Sequence, residues 1–257
     1  MPISRRAFFA ACSVAAVPAV GRTAAADVST SFPSQEPDLV REMVTVSHFN
    51  VARVKELVSR QATLAKAAWD WGFGDWETAL GAASHVGNRE IAEILLAHGA
   101  RPTLFSAAML GQLDVVKAFI AASPGIQRTK GPHSITLLAH ARAGGPAAQA
   151  VVDFLTTVDD ADEKPTEQPL SPQDVAKLAG AYGFGEGADD RIDITAAKER
   201  LSFQRAGRVA RGLAHVGGYE FVPMGAERVR VRFAETAAGI TLTVHDPDVV
   251  FTARKRS

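Results

Sequence analysis

The sequence predicts an α+β chain of two domains: an all-α solenoid of about four repeats, then a small antiparallel β-meander or open barrel. Three observations carry this. Between residues 38 and 157 apolar residues recur at helical spacing, and the pattern repeats along the chain. Beyond residue 172 the apolar period changes to two, as in half-buried strands. Between these stretches residues 158–172, VDDADEKPTEQPLSP, are acidic, proline-containing and unpatterned, the composition of an exposed linker.

The clearest helical unit is Thr78 to Ala100, TALGAASHVGNREIAEILLAHGA. Thr78 can cap a first helix through its hydroxyl, and Ala82 and Ala83 are small enough for close helix stacking. Gly87 suits the left-handed residue that ends such a helix. Ile91, Ile94 and Leu95 then recur on a second helix that Gly99 ends. Asn50, Gly111 and Gly144 fill the Gly87 slot in three further copies, at spacings of 37, 24 and 33 residues. The unit resembles the ankyrin repeat, whose Thr-Pro-Leu-His pattern, glycine and terminal Leu-Leu-x-x-Gly-Ala recur about every 33 residues. Ala79 replaces its usual proline, Gly81 its histidine and Asn50 its glycine. The resemblance implies a groove and finger loops that bind a protein partner. In that frame WDWGFGDW, with Trp69, Trp71, Phe73 and Trp76, is an enlarged finger entering the second repeat, beside a junction whose own finger is missing. Two tryptophans are expected to cover that gap and the third to stand out as an anchor.

In the C-terminal stretch Ser171 is expected to cap a short helix with Pro172 in its first position and Asp174 following. Ile192 with Ile194, Leu201 with Phe203, Val229–Val231–Phe233 and Ile240–Leu242–Val244 then alternate, separated by glycine turns. Residues 173–257 resemble the β-domain appended to bacterial serine β-lactamase-like hydrolases, through LAGAYGFG, LSFQ, LAHVGGYEFVP and VRVRF. In those proteins the catalytic serine lies in the other domain, so no active-site residue transfers to this chain.

The N-terminus reads as an address. Arg5 and Arg6 precede an apolar, alanine-rich run from Ala7 to Val20, and TAAADV offers a cleavage site after Ala26. Residues 1–26 resemble a twin-arginine signal, which implies export to the periplasm or beyond. The run is short for a bilayer span, which needs roughly 18–20 residues, so no membrane span is expected after cleavage. Residues 27–37 are a short polar linker. Removing residues 1–26 takes away three arginines and Cys12, the only cysteine, leaving 25 basic against 28 acidic residues. A thiolate metal site, a cysteine nucleophile and a nucleic-acid surface are thereby excluded.

No Ser-x-x-Lys, Gly-x-Ser-x-Gly, His-Glu-x-x-His, P-loop or Rossmann glycine pattern occurs. His133 and His140 are seven apart, with no carboxylate at ligand spacing, so no metal, cofactor or catalytic residue is expected. His48, His85 and Met109 fall at the ends of inner repeat helices, and Lys130 and His133 in the loop TKGPHSIT. The partner-binding set is therefore Trp69, Trp71, Phe73, Trp76, His85, Met109, Lys130 and His133. The expected protein is an exported, monomeric, non-enzymatic interaction module for an unknown periplasmic or envelope protein. The alternative is a small-ligand or regulatory module acting through the β-domain beside a separate hydrolase.

Overall fold

A computed structural model describes residues 29–164, 166–197, 199–247 and 249–256. The twin-arginine signal expected over residues 1–26 lies outside them. Residues 37–257 form one compact unit. No helix among the described residues is long and apolar enough to cross a membrane.

The helical part comprises α1 (Pro37–Val46), α2 (Val51–Arg60), α3 (Ala79–His85), α4 (Arg89–Ala97), α5 (Leu104–Met109), α6 (Leu113–Ala122), α7 (Leu137–Ala143) and α8 (Gln149–Thr156). Local chemistry sets their starts. Side-chain oxygens of Asn50, Thr78, Asn88 and Thr136 each accept a hydrogen bond from the third backbone N–H beyond them, and Thr103 forms a capping box with Ser106. Between α2 and α3 the chain pairs as two antiparallel strands, β1 (Ala68–Asp70) and β2 (Trp76–Thr78), with Trp69 opposite Glu77.

This corrects the expected all-α ankyrin solenoid. The tryptophan stretch is a paired β-hairpin, and the inner helices do not stack in a line: α3 packs against both α5 and α7, which also pack on each other. In a linear array α5 would separate α3 from α7. The short third unit removes that separation. Its first helix has six residues, and glycines let the ends of the helices meet: a Cβ on Gly87 would run into the Ala143 carbonyl, and one on Gly144 into the Met109 carbonyl.

The C-terminal part begins with α9 (Pro172–Leu178), capped by Ser171 with Pro172 in its first turn. Eight strands follow: β3 (Gly180–Gly183), β4 (Arg191–Ala197), β5 (Arg200–Arg205), β6 (Arg211–Gly217), β7 (Glu220–Pro223), β8 (Arg230–Thr236), β9 (Gly239–His245) and β10 (Val250–Lys255). Each pairs antiparallel with the next, as a meander does. They do not stay open, however, because β10 returns to β3, with Arg254 opposite Gly183 and Lys255 opposite Tyr182, and closes the barrel. Closure leaves no free sheet edge. The alternating residues fill the interior: Tyr182, Ile192, Leu201, Phe221, Val231, Leu242 and Val244 are fully buried or nearly so. The register places Val231 opposite Val244 and Phe233 opposite Leu242. The interior is therefore side-chain core. The acidic segment before α9 is laid along the barrel, where Gln168 N donates to His215 O at 2.8 Å and Leu170 packs on the core.

Candidate metal centre

The β-hairpin joins the two parts of the molecule and carries the candidate site. Strand alternation turns Glu77 inward while Trp76 and Thr78 face out. Glu77 is completely buried. Around it stand three histidines from distant parts of the chain. His48 follows the C-terminal end of α1, His85 is the last residue of α3, and His133 lies in the loop before α7 with a left-handed φ of 59°. One ligand atom from each of these four residues can be chosen so that all lie within 4.8 Å of one another.

The spacings are those of converging ligands. His48 Nε2 is 3.1 Å from His85 Nε2, which is 3.0 Å from Glu77 Oε1, which is 3.4 Å from His133 Nε2. Donors about 2.0–2.1 Å from a zinc ion, tetrahedrally arranged, lie about 3.3 Å apart. The rings of His85 and His133 stand at 88° to each other and those of His48 and His85 at 70°. Glu77 Oε1 is buried without a hydrogen-bond partner despite the two nearby imidazoles. A buried carboxylate oxygen in such a position needs a cation beside it, and either a protonated imidazole or a metal ion held by the neutral rings can supply it.

The outer contacts orient these donors. His48 Nδ1 lies 3.0 Å from Thr45 O and 3.2 Å from Val44 O. Carbonyls only accept, so Nδ1 carries the proton and Nε2 keeps a lone pair when the ring is neutral. His133 Nδ1 is 2.8 Å from Asp75 Oδ2, and Asp75 Oδ1 accepts the His133 backbone N–H at 2.9 Å. This is the carboxylate–histidine arrangement that turns an imidazole towards a metal and raises its basicity. Trp71 Nε1 donates to Glu77 Oε2 at 2.8 Å, which leaves Oε1 as the ligand atom. Asp75 is itself anchored by Arg211 of β6, whose Nη1 donates to Oδ2 at 2.9 Å.

Electrostatics favour a cation here. Burial alone would raise the Glu77 pKa, but His133 and His85 outweigh it and hold the carboxyl at about 2. Burial would lower His133, but Asp75 and Glu77 outweigh it and raise the imidazolium to about 9. The same carboxylates that hold a proton on that ring would hold a metal in its place. His140 is different. Its Nδ1 is spent on Thr136 O at 2.9 Å, and burial pushes it down to about 4; it is a core histidine beside the cluster.

The residues singled out in the sequence divide between several environments. Trp71, His85 and His133 belong to the centre. Trp69 packs on the helical core, and Phe73, partly buried, packs against the barrel core beside Phe203, with ring centroids 5.7 Å apart. Trp76 is 64% exposed and lines, with Lys130, an open groove of about 500 Å³ on another face. Met109 is fully buried and cannot touch a partner. Glu77, Asp75 and Arg211 are missing from the sequence reading. The expectation of no metal site rests on His133 and His140 alone, whereas the structure groups His133 with His48, His85 and Glu77. One signal was present: His48 and His85 occupy the same position, two before Asn50 and Gly87, in adjacent units. No protein-family model matches this sequence, and no curated protein matches it either.

Proposed function

We propose that this protein binds one divalent transition-metal ion through His48, His85, His133 and Glu77. The observation that carries the reading is the convergence of three imidazole nitrogens and a carboxylate oxygen of the buried Glu77 within 4.8 Å of one another. Imidazole donors suit zinc, cobalt, nickel, copper or iron, whereas magnesium and calcium prefer all-oxygen sets. The site joins β2, α3 and two loops, so a bound ion would tie together segments far apart in sequence.

Metal-stripped full-length protein, titrated with zinc by calorimetry, should bind one equivalent. Glu77→Gln and His85→Ala should each weaken binding by about a hundredfold or more while the circular dichroism stays native. Calcium should not compete. Equal zinc affinity in the wild type and both variants would assign the cluster to internal hydrogen bonding alone.

A further inference from the structure

The centre does not lie sealed in the core. His48, His133 and Trp71 also line an open cleft of about 610 Å³, whose other walls include Val46, Val209 and Arg41. The side chains of His48 and His133 remain 23% and 30% exposed, so solvent reaches two of the four donor residues from that side. A volume of this size holds a small organic molecule. Its walls are mixed: the Trp71 indole, Val46 and Val209 supply apolar surface, and Val209 is 55% exposed.

The charges select what would enter. Glu77 cancels one of the two charges of a divalent ion, and the Asp75 carboxylate is matched by Arg211 at 2.9 Å. With neutral histidines the loaded centre keeps one net positive charge at the head of the cleft. Each acid of the walls is met by an arginine, Asp38 by Arg41 at 3.5 Å and Glu42 by Arg53, behind the wall, at 2.7 Å, although Arg53 also meets Glu56 at 2.7 Å.

Resting on the metal reading above, we propose that the cleft face of this centre takes a small apolar monocarboxylate. Its oxygen would add a fifth donor to the four protein ligands from the cleft side, an expansion that zinc and cobalt accept, and its hydrocarbon part would lie between Trp71, Val46 and Val209. The charge count calls for a single anion, and the apolar walls call for a hydrophobic body. Binding, not turnover, is what these residues support.

Cobalt(II) serves as the test ion because its visible spectrum reports coordination. The full-length cobalt protein is titrated with acetate and with benzoate. Both should change the visible bands, and benzoate should bind at least about tenfold more tightly, as expected for burying an aromatic ring. Val209→Asn, a neutral polar change at an exposed wall position that is not a donor, should keep the cobalt affinity and spectrum. It should weaken benzoate by about fivefold and leave acetate within about twofold. A cobalt spectrum that neither acid changes would overturn the added fifth donor and leave the metal reading intact. Equal affinity for acetate and benzoate, or benzoate binding untouched by Val209→Asn, would overturn the apolar cleft. Failure to bind cobalt at all would overturn both readings.

Discussion

His140 shows what burial does to a single side chain when one carbonyl is its only compensating partner. It is fully buried, Nδ1 meets Thr136 O, and Nε2 finds no hydrogen-bond partner. Burial therefore holds the folded-state pKa at about 4, below the unfolded value of about 6.5. Between these values the unfolded chain binds the extra proton, so stability falls as pH drops from 6.5 towards 4. The full difference is worth about 3 kcal/mol. His133 acts in another window: its pKa is raised to about 9, so its contribution is fully present below 6.5 and is lost as pH rises through 9. Urea unfolding of metal-free protein at pH 7 and pH 4.5 separates the two. Wild type should lose about 2–3 kcal/mol more than His140→Leu over that interval. An equal loss in both proteins would show that His140 is not kept neutral in the fold.

At the scale of elements, the reading from sequence succeeded where the signal is local. Helix caps at Thr78 and Ser171 are set by residues within one turn, and barrel strands by alternation over a few positions. The packing of α7 against α3 is set instead by helix length and by glycine contacts some fifty residues apart in sequence, which periodicity does not encode. The metal cluster failed to appear for the same reason. Its four residues sit in the turn after α1, on β2, at the end of α3 and in the loop before α7, and only the non-linear packing brings His133 to His85. Glu77, one carboxylate within an aromatic stretch, becomes a ligand only because β1–β2 pairing turns it inward. Gly87 tests this packing directly. It has φ +74°, and a side chain there would strike the Ala143 carbonyl. Gly87→Ala should therefore cost more than the roughly 1 kcal/mol of a left-handed alanine, on the order of 3 kcal/mol. A loss below about 1 kcal/mol in thermal or urea unfolding would mean that α7 does not press on α3.

For the whole molecule, the β-hairpin between α2 and α3 makes the two parts one unit. Phe73 packs against the barrel core and Asp75 meets Arg211, while beside the hairpin Ser134 Oγ accepts the Gly225 N–H at 2.8 Å. Arg211 is the decisive contact. It is 7% exposed, reaches Asp75 Oδ2 at 2.9 Å, and also donates to Met224 O and Gly72 O at 2.6 and 3.1 Å. Asp75 simultaneously orients His133, so barrel docking and the metal centre share one carboxylate. Removing one member of such a buried pair leaves the other charge uncompensated, at a cost of about 3–5 kcal/mol, whereas removing both together costs much less. Arg211→Met should therefore destabilise the protein by about that amount, and Asp75→Asn combined with Arg211→Met should recover a large part of it. Hydrogen exchange would report the docking separately. In Arg211→Met, amides of the β1–β2 turn and of the Met224–Gly225 turn should lose protection while the β8–β9 ladder keeps it. Zinc affinity should fall as well, because Asp75 loses its anchor and orients His133 less firmly. If the single and double variants are equally destabilised and zinc binding is unchanged, the two parts are held by Phe73 and its apolar neighbours, and the centre is mechanically independent of the barrel.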